Sequence, residues 1–121
     1  MTLLFVMVGA AAGAPSRWLL DQTVQSRWER AFPLGTLTIN VIGCALLGFL
    51  LGLSSRGTPT PELVALAGTG FCGGFTTYST FGFATLRLAE EGARLEAFLN
   101  VAISLTLGLA ASIAGWSAAT L

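Results

Sequence analysis

The chain has 121 residues, 54% of them hydrophobic and 10% charged, with a mean hydropathy of +0.77. Soluble domains carry about a quarter charged residues, so this chain has too few to cover a water-facing surface and reads as a single all-α integral membrane domain. Six arginines balance six acids, with no lysine and no histidine. That leaves no basic patch for nucleic acid and excludes histidine triads and histidine-ligated zinc.

Four uncharged stretches lie between clusters of charge. A spanning helix needs roughly 20 apolar residues, and the pattern predicts spans at about 2–20, 34–53, 62–87 and 96–118. The N-terminus lacks a basic lead-in, so no cleavable signal peptide is expected. Span 1 carries "GAAAG", with Gly9 and Gly13 four apart, and reaches Leu20 only if Arg17 snorkels toward the headgroups. The first connection holds Arg27, Glu29 and Arg30. Span 2 contains "GTLTINVIG", in which Thr36 and Asn40 share a helical face. An amide in hydrocarbon is costly unless bonded, so Asn40 is either an interhelical hydrogen-bonding group or a donor lining a pore.

The second connection, "SSRGTPTP", is turn-rich. Thr60 is placed to cap span 3 ahead of Pro61 and Glu62. Span 3 holds "GFCGGFTTYSTFGF", with glycines, hydroxyls and aromatic rings but no charge. Gly73 and Gly74 weaken a helix, and Thr76 and Thr77 follow, so a break at mid-membrane depth is predicted here. Such backbone survives only where protein buries it or water reaches it, and its freed carbonyls can bind a cation. Tyr78 and Phe81, three apart, flank Ser79 and Thr80. Span 4 carries Asn100, Ser104, Gly108 and Ser112 at intervals of four, either a packing stripe or a polar track.

Trp18, Trp28 and Trp116 sit near span ends, where an aromatic belt is expected. Pairs such as Gly48 and Gly52, or Gly70 and Gly74, suit close helix contact. Four thin helices enclose little volume, so a conduction path needs a second copy. Cys44 and Cys72 are too few for a thiolate zinc site and read as buried free thiols. Spans 2, 3 and 4 bury hydroxyls, amides, ring edges and backbone, with no deep carboxylate or basic residue. Ring edges are electropositive, and the set suits a small anion better than a cation.

The motifs "GAAAGAPSRW", "GTLTINVIGCALLGF" and "GFCGGFTTYSTF" resemble those of the Fluc (CrcB) fluoride channels of microbes, and the match covers nearly all the chain. The resemblance implies an antiparallel, dual-topology homodimer in a prokaryotic cell membrane, surrounded by lipid. It implies two fluoride pathways along the subunit interface and a structural sodium ion at the dimer centre. The sodium would be held by the backbone carbonyls of Gly73 and Thr76 from each subunit. Tyr78 and Phe81 match the paired pore aromatics of the family. Asn40 matches its span 2 asparagine, with Thr38 nearby. Ser79 and Thr80 follow as pore hydroxyls, Ser104 and Ser112 as the span 4 track, and Arg17 as a vestibule arginine. The implied role is passive export of cytoplasmic fluoride, relieving its toxicity, and not enzymatic.

The chain departs from the family at Tyr78, where phenylalanine is usual, which adds a phenolic donor to the ring edge. The first and third connections carry Arg27, Arg30, Arg87 and Arg94 against Arg56 alone. By the positive-inside rule this favours termini outside, whereas dual topology asks for near balance. Three other readings fit less of the sequence. A small multidrug-resistance exporter would need a carboxylate in span 1, which has none before Asp21. A non-transporting packing subunit would leave the paired glycines and hydroxyls of span 3 without a purpose. A membrane enzyme lacks a visible nucleophile–base pair.

Overall fold

The computed structural model describes residues 1–27 and 32–121; Trp28, Glu29 and Arg30 of the first connection lie outside them. The described residues form helices and no strands. Helix α1 spans Thr2–Arg27 and α2 spans Leu34–Ser55. Helix α3 starts as a single α-turn at Pro61–Leu63, widens into a π-helix over Val64–Cys72, and closes with an α-turn at Gly73–Phe75. Helix α4 spans Ser79–Glu90 and α5 spans Arg94–Thr120. By length and composition α1, α2 and α5 can each cross a membrane. The chain is therefore a multi-pass membrane protein. The third expected stretch is divided between α3 and α4.

The helix ends follow local chemistry. Thr60 caps α3, its Oγ1 accepting the Leu63 N–H at 3.2 Å, with Pro61 in the first turn. Helix α2 ends at Gly57, which has φ +72°. The Gly57 N–H donates to the Ser54 carbonyl and the Thr58 N–H to that of Leu53. Helix α4 ends the same way at Gly92, with φ +84° and bonds from Gly92 to Ala89 and from Ala93 to Leu88. This pairing satisfies the last carbonyls and requires a left-handed residue, which glycine adopts without a Cβ clash. The first turn of α2 is tied to α1, since the Gly35 N–H donates to Gln25 Oε1 at 2.9 Å.

Two seams of small residues hold the helices together. Helix α1 packs on α3, where a Cβ on Gly74 would lie 3.0 Å from Ala10 Cα and one on Gly70 3.0 Å from Gly9 Cα. Helix α2 packs on α5, where a Cβ on Gly48 would lie 2.9 Å from Ser112 Cα and one on Gly52 2.8 Å from Ala119 Cβ. Lipid tails are as apolar as leucine, so close backbone packing, not apolar burial, drives such association. The buried apolar set is accordingly small: Ile39, Ala65, Cys72, Phe75, Leu88, Ala97 and Ala119. Leu3, Leu4 and Met7 on α1, with Leu105, Leu109 and Ile113 on α5, are exposed. In water that surface would be costly; in hydrocarbon it is not.

Candidate functional site

The α3–α4 interruption falls later than glycine content predicts. Gly73 and Gly74 are helical, and the first extended residue is Thr76, with φ −83° and ψ 163°. The cause lies on another helix. Asn40 of α2 pairs with the backbone of Thr77 at two points: Nδ2 donates to the Thr77 carbonyl at 2.8 Å, and Oδ1 accepts the Thr77 N–H at 2.9 Å. The side-chain amide thus takes the place of a neighbouring peptide. The Thr77 N–H would otherwise serve the Gly73 carbonyl, its i−4 partner in an α-helix. The Thr80 N–H is diverted in turn, donating to Thr77 Oγ1 at 3.2 Å rather than to the Thr76 carbonyl. Two carbonyls, those of Gly73 and Thr76, lose their helical donors by this arrangement.

The interruption opens onto a groove of about 620 Å³ between α2, α3, α4 and α5. Asn40, Gly73, Thr76, Tyr78, Phe81 and Ser104 all line it, so it brings together six of the residues singled out in the sequence. Every residue lining it is uncharged. Gly43 allows the approach of Thr76 to α2, because a Cβ there would collide with Thr76 Cγ2. The rings of Tyr78 and Phe81 lie 6.0 Å apart at 46°, a tilted pair, and aromatic ring edges carry the positive part of the quadrupole. Tyr78 is 84% exposed, so beyond its contact with Phe81 its ring is largely uncovered by its own chain.

The other singled-out residues lie elsewhere. Thr38 Oγ1 donates to the Leu34 carbonyl of its own helix at 2.7 Å. Ser79 and Thr80 cluster around Thr77 Oγ1, at 3.4 and 3.1 Å between side-chain oxygens. Thr80 also lines a second, polar cavity of about 400 Å³ with Asp21, Gln25, Thr36 and Arg87. Ser112 is turned onto α2, donating to the Cys44 carbonyl at 3.3 Å, in the seam against Gly48. Arg17 is half-buried on α1, one turn before Asp21, and lines neither cavity. Arg87 pairs with Glu91 at 3.0 Å, both exposed.

Three residues gain roles that the sequence showed only in part or not at all: Thr77 stood in the expected break, Asn100 in the span 4 stripe read as packing or a polar track, and Thr85 in neither. Thr77 supplies both the backbone that Asn40 grips and the hydroxyl that caps α4. Asn100 and Thr85 form a hydrogen-bonded link behind the groove, with Asn100 Nδ2 donating to Thr85 Oγ1 at 2.8 Å. Thr85 had a signal in the sequence, being four residues beyond Phe81 and hence above it on the same face.

Among the described residues no group of three or more His, Cys, Asp or Glu side chains could hold a metal ion. Beside the free thiols of Cys44 and Cys72, the donors at the groove are oxygens of backbone, hydroxyl and amide. Such neutral oxygens suit a hard cation, and the Gly73 and Thr76 carbonyls fit that requirement, having lost their helical donors in residues that line the groove. One chain supplies only two of them, fewer than a hard cation takes.

These features define a multi-pass α-helical membrane protein with an interrupted helix and a neutral, donor-bearing groove. A family profile described as CrcB-like protein, Camphor Resistance (CrcB), matches residues 4–116. The chain belongs to that family. It is 49% identical to a protein of Streptomyces avermitilis named fluoride-specific ion channel FluC 1, over 100% of this chain and 98% of the relative. It is 48% identical to a protein of the same name from Frankia casuarinae, over 95% and 93% of the two chains. A FluC from Shewanella woodyi is 43% identical over 87% and 85%.

Proposed function

We propose that this chain is a fluoride-selective ion channel that exports cytoplasmic fluoride passively through the prokaryotic cell membrane. The observation that carries the reading is the uncharged groove, in which hydroxyls, an amide and ring edges meet at an interrupted helix. Fluoride is small and tightly hydrated, so a path for it must replace its water with donors. Strong fixed charge at those points would hold the ion instead of passing it. The names of the relatives identify the ion.

In this reading Tyr78 and Phe81 offer ring edges, and Ser104, Ser79 and Thr80 offer hydroxyls. Asn40 has a second Nδ2 hydrogen beyond the one given to Thr77. Thr38 and Ser112 join the path only by releasing the carbonyls they now bond, and Arg17 acts at longer range on anions entering. The groove is open on one chain, and a second copy closes it. The proposed assembly is an antiparallel, dual-topology homodimer embedded in lipid, with α3 and α4 together completing the fourth crossing. The Gly73 and Thr76 carbonyls of two copies give four oxygens for a central sodium ion, which would hold the interrupted helices together and set a positive field. Hydrogen fluoride enters a cell neutral and ionises. The anion then leaves down the membrane potential, worth about 2.3 kcal/mol per charge per 100 mV.

The test is fluoride efflux from proteoliposomes under a potassium–valinomycin potential, with chloride run in parallel. Fast fluoride release with negligible chloride release is expected. Release of both ions would refute selectivity, and release of neither from folded dimer would refute the channel.

A further inference from the structure

Asn100 is the most deeply buried polar side chain described, only 1% exposed, and it does not line the groove. A buried amide is retained at a cost unless its groups are paired, and Asn100 is paired on both sides. Nδ2 donates to Thr85 Oγ1 at 2.8 Å, and Oδ1 accepts from Ser104 Oγ at 3.4 Å. Thr85 Oγ1 gives its one proton to the Phe81 carbonyl at 2.8 Å. The direction of the chain is therefore fixed: Asn100 donates to Thr85, and Thr85 to Phe81. Its two ends, Ser104 on α5 and Phe81 on α4, both line the groove.

We infer that Asn100 is a positioning residue for ion passage, acting through Thr85 on Phe81 without touching the ion. This rests on the reading of the groove as the pathway. A threonine bonded to the carbonyl four residues back bends and restrains that turn of helix. The turn here begins at Phe81, near the start of α4, where the chain has just left the Thr76–Tyr78 interruption. Asn100 holds the Thr85 hydroxyl in that bonding geometry from the facing helix, which fixes how the Phe81 ring is presented relative to Ser104. The Ser104 bond is long for O–H···O, so that hydroxyl is lightly held and free to turn toward the groove. The mechanical connection is the short one, between Asn100 and Thr85.

The experiment compares Thr85→Val, Thr85→Ser, Asn100→Leu and the Thr85→Val/Asn100→Leu double variant with the unaltered chain, by fluoride efflux and by dimer content. Thr85→Val removes only the hydroxyl at nearly constant shape and should slow fluoride release at least tenfold with the dimer intact. Thr85→Ser restores the hydroxyl and should stay within twofold of the unaltered chain. Asn100→Leu should slow release as Thr85→Val does. The double variant should be no slower than the slower single one, because both cut the same connection. Unaltered flux in Thr85→Val, equal slowing in Thr85→Ser, or multiplicative slowing in the double variant would each overturn the inference. Should Asn100→Leu fail to fold, the valine–serine comparison decides alone. An unaltered chain that releases no fluoride would refute the channel itself and remove the premise.

Discussion

Replacing Asn40 by leucine removes both hydrogen bonds that hold the Thr77 peptide away from α3. Each orphaned backbone group costs about 1–3 kcal/mol. One of them recovers, since the Thr77 N–H can return to the Gly73 carbonyl and lengthen α3 by a residue. The net loss falls on the Thr77 carbonyl and on the interrupted conformation, about 2 kcal/mol at the middle of that range, or about 30-fold in population at 1.36 kcal/mol per decade. Fluoride efflux from proteoliposomes should therefore fall about 30-fold in Asn40→Leu, with the dimer retained. Because the recaptured carbonyl is one proposed for sodium, the sodium concentration for half-maximal flux should also rise at least tenfold. A residue that merely donated to the passing ion would lower flux without moving that sodium requirement. In Asn40→Asp, one carboxylate oxygen still accepts the Thr77 N–H but the other faces the Thr77 carbonyl, so flux should fall further. Asn40→Leu with flux within twofold of the unaltered chain would refute the reasoning.

Three other outcomes are expected. Phe81→Ile keeps apolar bulk but removes the ring edge, and should cut fluoride efflux at least tenfold while the dimer survives on size-exclusion chromatography. Gly48→Val places side-chain atoms against the backbone at Ser112, where even a Cβ would lie 2.9 Å from Cα; overpacking of this kind costs about 1–3 kcal/mol or more and should appear as a lowered melting temperature in detergent. Thr60→Ala removes the cap of α3 and should cost about 0.5–2 kcal/mol, again read as melting temperature, with fluoride efflux unchanged.

What the sequence revealed and what it concealed divide by range. The cap at Thr60 rests on interactions within three residues, and its local signal sufficed. The glycine seams were legible because a spacing of four repeats on one helical face. The position of the interruption was not. Gly73 and Gly74 announce weak helix, yet they remain helical, and the competing contact acts further on, at the Thr77 N–H. The competitor for the Thr77 N–H stands 37 residues away in sequence, on α2. The stripe on α5 divides for a similar reason. Ser104 reaches the groove while Ser112, two turns on, is captured by the Cys44 carbonyl of the helix packed beside it. Periodicity marks a face but cannot say which neighbour covers which part of it. The π-helical stretch from Val64 to Cys72 compounds this, since its bonds reach back five residues, as the Gly73 N–H does to the Gly68 carbonyl, and every face beyond it is rotated from α-helical expectation.

The grip of Asn40 on Thr77 is one-sided. It reads the peptide group, which every residue other than proline offers in the same form. The requirement it sets therefore falls on position 40 alone, and no exchange of side chain at position 77 can compensate for its loss. A contact of this kind leaves no trace in paired substitutions between the two positions. Thr77 is constrained separately, by the hydroxyl it lends to Thr80. The two positions in direct contact are thus constrained separately, and the grip of Asn40 can persist through changes at position 77 that would erase a side-chain pair.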